Sequence, residues 1–174
     1  MKTLTAMIIC AGVCGMPLAS TAFAQDTNAA AAAKVDKTTF VNMATSSNML
    51  EIQSSEMALQ RATSEDVKAF ANQMIQDHTR ATEEMTALLQ KKGMAAPKGL
   101  DPKHKKMLDE LADNKANFDA AYVGMQQAAH QEAVGLFTSY SGNPDDPDLG
   151  AFAQKTLPTL QMHLDHVTKL NGAK

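Results

Sequence analysis

Between Ser64 and Gly93 the apolar residues fall into one helical stripe, and that stretch sets what kind of fold this chain can adopt. Val67, Phe70, Ala71, Met74, His78, Ala81, Met85 and Leu88 recur at steps of three and four, the spacing of a single helix face. Thr63 or Ser64 can cap the start. Glu65 and Asp66 then sit where the positive end of the helix dipole favours acids. Lys91, Lys92 and Gly93 supply the matching stop, two cations followed by a residue that tolerates the left-handed cap. One residue in the middle of the stripe is foreign to a plain core: His78.

Three more stretches share this period. A first helix is predicted from about Lys37 to Ala62, capped by Asp36 or Thr38, with Phe40, Ala44, Ser47, Glu51, Ser54, Ala58 and Arg61 on one stripe. The middle of that stripe is small and polar, because Ser47, Ser54 and Ser55 leave room around Glu51. Taken alone, a glutamate at such a position reaches water from the edge of the face. A third long helix, about Ala116 to Tyr140, carries Phe118, Tyr122, Met125, Ala129, Ala133, Leu136 and Phe137, with His130 at its shoulder. The fourth opens at Asp145-Asp146-Pro147 and runs to about Leu170. Its stripe includes Leu149, Phe152, Ala153, Leu160, His163 and Val167, and Pro158 should kink it; His166 is expected to look outward.

The connections decide the topology. Ser141 to Pro144 allows only a short turn between the last two helices. Gly93 to Asn117 is long, and Asp101-Pro102 within it marks a cap followed by proline at the first helical position. A short helix from Pro102 to about Ala112 can carry the chain back along the bundle at about 1.5 Å per residue. No strand-like alternation appears anywhere. The expected fold is all-α: a four-helix bundle with a long crossover containing a short helix between the second and third long helices. His104, among Lys103, Lys105 and Lys106, is expected to be solvated and without a role.

Residues 1–24 read as a cleaved export signal. Lys2 gives a positive start, Leu4 to Leu18 is largely apolar, and Ala22-Phe23-Ala24 fits a small-x-small cleavage site. The apolar run is too short for a transmembrane helix, and the periplasm is the expected destination. Residues 25–35 should form a flexible tether, and residues 36–171 the bundle. Cys10 and Cys14 both fall in the signal, so a processed chain has no thiol for disulfides, catalysis or metal. It would keep fifteen basic and nineteen acidic residues, a net charge of −4, which argues against nucleic acid as a partner. An envelope protein is the partner class left open.

Glu51, His78 and His130 lie near the centres of their helices, and His163 a little past the middle of its own. In a bundle of similar helices such positions meet at one level. Buried imidazoles and carboxylates are costly without partners, so convergence lets the four satisfy one another or bind an ion. Asp77 precedes His78 but points about 100° away on a helix, which makes it a surface group. Met74, Met125 and Met162 stand near the histidines. Soft thioethers with imidazole suit Cu(I), although methionines more commonly fill gaps between helices.

The run Phe40…Ala44…Glu51…Ala58, followed by Val67-Lys68-Ala69-Phe70-Ala71…Met74…Asp77-His78, resembles the domain-of-unknown-function 4142 family. So do Phe118-Asp119…Tyr122…His130 and Leu157-Pro158…Leu160…His163-Leu164. The resemblance spans about Lys37 to Leu170. It implies a ferritin-like four-helix bundle in an exported bacterial protein and marks Glu51, His78, His130 and His163 as the positions to watch. It names no reaction.

A di-iron carboxylate site needs Glu-x-x-His pairs. Ile75 stands three residues before His78 and Leu160 three before His163, so that chemistry does not fit. One carboxylate with three histidines suits zinc, copper or a single iron. Three readings follow. The polar core of a binding or structural module can fix helix register. Alternatively, the same set holds a divalent ion in a storage, buffering or stress-protection protein. An enzyme is the third, with no Ser/His/Asp order, phosphate loop or carboxylate pair to support it.

Overall fold

The computed structural model describes residues 34–172; the expected export signal and most of the expected tether lie outside them. The described residues form five helices and no strand: α1 (Lys37–Arg61), α2 (Glu65–Lys91), α3 (Pro102–Asp113), α4 (Phe118–Gly142) and α5 (Pro147–Gly172). The starts follow the side-chain chemistry of their caps. Asp36, Ser64 and Asp101 each accept a hydrogen bond from the backbone N–H three residues on, at Thr39, Val67 and His104. At the far end of α2, Gly93 takes φ 64° and the Met94 N–H closes back on the Leu89 carbonyl at 3.0 Å, the left-handed stop that Gly permits. α5 continues through Pro158. On α2 the buried position at the end of the stripe is Leu89 rather than Leu88.

α1 packs against α2 and α4, and α5 against the same two. The apolar core is divided into two clusters, and their membership gives each helix its direction. One contains Phe40, Val41 and Ala44 of α1, Met85 and Leu89 of α2, Leu136, Phe137 and Tyr140 of α4, and Leu149 to Leu160 of α5. The other contains Ala58, then Val67 to Met74, Phe118 to Val123, and Val167. The chain therefore runs from the first cluster to the second along α1 and α5, and the opposite way along α2 and α4. α2 and α4 are parallel and stand at opposite corners. Joining them takes a crossover the length of the bundle, and residues 92–117 make it, with α3 within them lying on α1 and α4. This is the ferritin-like connectivity.

Two devices hold the crossover. Arg61 donates to the carbonyl of Ala112 at 2.9 Å and to that of Asn114, while its guanidinium lies 4.3 Å over the Phe118 ring; a cation at a helix C-terminus takes up carbonyls left without helical partners. At the other end of α3, Ser46 on α1 accepts from the Asp101 N–H at 2.8 Å and meets His104 Nδ1 at 2.7 Å, and Asp101 Oδ2 stands 3.0 Å from the same nitrogen. His104 is 2% exposed. The expectation of a solvated His104 is wrong: its lysine neighbours face water, but the residue itself sits in the first turn of α3 on the side that meets α1.

Candidate metal centre

Between the two apolar clusters lies a polar layer, contributed by all four long helices. α1 supplies Ser47, Asn48, Glu51, Ser54 and Ser55, α2 supplies His78, α4 Gln126 and His130, and α5 His163, all of them buried. The sequence builds this layer with small hydroxyl residues on α1 so that larger polar groups from the other helices have space. Ser55 Oγ meets the Tyr122 hydroxyl at 2.8 Å, and Gln126 Nε2 donates to Ser54 Oγ at 3.0 Å. Ser54 is itself anchored on the Leu50 carbonyl at 2.6 Å.

The three imidazoles form a nearly equilateral triangle, with ring centroids 5.6 Å apart for His78 and His130, 5.5 Å for His78 and His163, and 5.4 Å for His130 and His163. A ring nitrogen from each lies within 4.8 Å of the other two. Each ring is held from behind by an acceptor. His78 Nδ1 donates to Asn48 Oδ1 at 2.8 Å, His130 Nδ1 to the Gln126 backbone carbonyl at 2.9 Å, and His163 Nε2 to Asp77 Oδ2 at 3.0 Å. A carbonyl or carboxylate can only accept, so it fixes the proton on the nitrogen facing it and leaves the other as a bare lone pair. Those other nitrogens, Nε2 of His78, Nε2 of His130 and Nδ1 of His163, are buried and have no hydrogen-bond partner among the described residues. These three ring nitrogens are thus acceptors to which no described residue of the layer donates.

Burial explains the electrostatics. It holds His78 well below the usual imidazole range, with the neighbouring His130 and His163 adding to the effect. Burial likewise lowers His130, to about 4, against the opposing pull of the Gln126 carbonyl. His163 is lowered by burial too, while Asp77 works in the other direction. All three are neutral at pH 7, the state in which imidazole is a ligand. Glu51 is pushed up to about 8 by burial, which the nearby Gln126 side chain only partly opposes.

The four residues singled out in the sequence are therefore neighbours, but not equivalent ones. The three histidines make the tight group. Glu51, fully buried rather than reaching water, stands beside it with Oε1 3.7 Å from His130 Nδ1, on the nitrogen that faces away from the unpartnered one. The methionines are placed elsewhere. Met162 is 48% exposed, Met74 belongs to the second apolar cluster, and Met125 lines a groove against α3 with Met107. Asp77 corrects another expectation. It does leave the His78 face, but α5 packs there and brings the edge of His163 to its carboxylate, whose side chain keeps 21% of its exposure. Asn48 and the Gln126 carbonyl were also missed; nothing in their spacing betrays a backing role, which exists only once the helices pack.

Solved structures of similar fold include CopM in the Cu(II)-bound form, 25% identical, matching 78% of this chain and 95% of that one with a TM-score of 0.67. A DUF305 fragment from Deinococcus radiodurans matches 78% of this chain and 94% of its own at 15% identity, TM-score 0.68. CopM in the Cu(I)-bound form is 24% identical over 77% of this chain and 94% of that one, TM-score 0.66. A search of curated protein sequences finds no match. The model of one family matches residues 22–170, and on that match this chain belongs to the domain of unknown function family DUF4142.

Proposed function

We propose that His78, His130 and His163 bind one transition-metal ion at mid-bundle, and that the protein holds or buffers that ion in the periplasm. The observation that carries this reading is the set of three buried ring nitrogens, each fixed as a lone pair by the hydrogen bond on its far side and each without a donor. A packing device that only fixed helix register would pair such groups with one another, since an unsatisfied buried acceptor costs about 1–3 kcal/mol. A cation satisfies all three at once. The carboxylate, amide and carbonyl behind the rings are the outer partners that metal-ligating imidazoles characteristically have.

Copper is the favoured ion. A nitrogen donor set takes Cu(II) more tightly than the other divalent first-row ions, and the 25%-identical CopM structure is a Cu(II)-bound form. Zinc suits three imidazoles as well and is the comparison ion. Glu51, which burial keeps protonated at pH 7, stands behind His130 and becomes a counter-charge when a bound cation draws off its proton. No helix among the described residues is long and apolar enough to cross a membrane. The leader pattern at Lys2 and Ala22-Phe23-Ala24 supports export, and an envelope protein that delivers or receives the ion is the partner this reading calls for.

The test is a titration of chelator-treated protein with Cu(II) and with Zn(II), followed by melting. One ion per chain is expected, with a stabilisation of about 2.7 kcal/mol at a hundredfold excess over the dissociation constant. His78→Ala and His130→Ala should lose both. Superimposable wild-type melting curves with and without metal would sink the reading and leave the polar layer as a packing device.

A further inference from the structure

The three rings differ in what stands behind them. The acceptor for His130 is a buried backbone carbonyl. Asn48, behind His78, lines a cleft of only about 10 Å³ with no charged residue. Behind His163 stands Asp77, which also lines an open cleft of about 110 Å³ between α2 and α5. The two carboxylates of that cleft, Asp77 and Glu84, are its less exposed charges, at 21% and 38%. The two cations are its outer ones: Arg80, 68% exposed and 3.5 Å from Asp77, and Lys155, 69% exposed and 2.8 Å from Glu84. Exposed pairs of this kind contribute little, so a metal cation displaces either base from its carboxylate at little cost. Of the three backing groups, Asp77 alone is charged and reaches water.

We propose that Asp77 is both the positioning residue of His163 and the point where a cation enters the site, received in the α2/α5 cleft and passed across the His163 ring to the three inward nitrogens. The proposal rests on the metal reading above. The Asp77 carboxylate attracts the ion, and the hydrogen bond to Nε2 keeps Nδ1 deprotonated and facing inward. Of the three imidazoles, His163 is the one whose backing group is a partly exposed side chain.

The experiment measures the rate of Zn(II) and Cu(II) uptake by stopped flow, at several salt concentrations, for the full chain and for Asp77→Asn and Asp77→Ala. It also measures equilibrium affinity and, by nitrogen NMR of the metal-free protein, the His163 tautomer. Wild type should show a single Nε2–H tautomer and uptake that slows as salt screens the cleft. Asp77→Ala should mix the tautomers, weaken affinity about 10- to 100-fold, and load slowly without salt dependence. Asp77→Asn keeps an acceptor for Nε2–H but no charge, so affinity should recover while loading stays slow and salt-insensitive. That split between affinity and rate is what a merely structural aspartate does not produce. If wild type takes up ions and both variants load at its rate, the proposal falls alone. If wild type takes up none, the metal reading falls and the proposal with it.

Discussion

Replacing Glu51 by glutamine should stabilise the metal-free protein, and by an amount that grows with pH. The carboxyl is fully buried, neither oxygen lies within hydrogen-bond distance of a partner among the described residues, and burial, only partly opposed by the nearby Gln126 side chain, raises its ionisation to about 8 from an ordinary 4.5. Below pH 4.5 the folded and unfolded chains both carry the proton, and the group is neutral toward stability. Between 4.5 and 8 the unfolded chain releases the proton and the folded chain keeps it, so stability is lost as pH rises through that window. At about 1.4 kcal/mol per pH unit, the penalty is on the order of 3 kcal/mol at pH 7 and levels off above 8. Glutamine has nothing to ionise and escapes it. Urea denaturation of chelator-treated wild type and Glu51→Gln at pH 5.5 and 7.5 should therefore show the advantage of the variant widening by about 3 kcal/mol between the two. An advantage that is the same at both pH values, or a variant less stable at 7.5, would refute the idea of a carboxyl held neutral by burial.

The histidines act in the opposite sense at lower pH. His130, lowered to about 4 from 6.5, contributes stability that is complete above 6.5 and is lost as pH falls toward 4, on the order of 3 kcal/mol in metal-free protein; acid titration followed by circular dichroism checks it. For the same reason metal should be retained well below the pH 6.5 at which a free imidazole starts to compete for protons, and an affinity that collapses at 6.5 would show that the rings are not buried as described. His104→Ala should destabilise by about 1–3 kcal/mol, with faster hydrogen exchange confined to α3, since it removes the contact to Ser46 at 2.7 Å. Phe40→Ala should cost about 3–5 kcal/mol in thermal unfolding, because Phe40 is fully buried, stacked 4.1 Å from Tyr140 and set edge-on to Phe137.

What could be read from the residues alone was whatever depends on one helix at a time. The Asp101-Pro102 start, the Gly93 stop and the length between Gly93 and Asn117 were enough for a crossover. Their places near the middle of helices of similar length were enough to bring Glu51, His78, His130 and His163 to one level. What could not be read was which neighbour each side chain meets. Asp77 leaves the His78 face as its phase requires, and only the packing of α5 against α2 turns it from a surface acid into the partner of His163. His104 carries a lysine on one side and two on the other, yet phase within a twelve-residue helix, not the local charge, decides that it faces α1. Met162 stands one residue from His163, and that single step of about 100° carries it out to solvent. The donor-free arrangement of the three rings is likewise invisible until Asn48, the Gln126 carbonyl and Asp77 are seen behind them.

X-ray absorption at the metal edge of copper- or zinc-loaded protein tests the central claim most directly, because it reads the ligand atoms themselves. Three imidazoles should appear as nitrogen neighbours at about 2.0 Å with the outer-shell scattering of three rings, and His130→Ala should remove that pattern. A sulfur shell at about 2.3 Å, or an oxygen-only shell without imidazole scattering, would place the ion elsewhere on the protein and contradict the three-histidine centre.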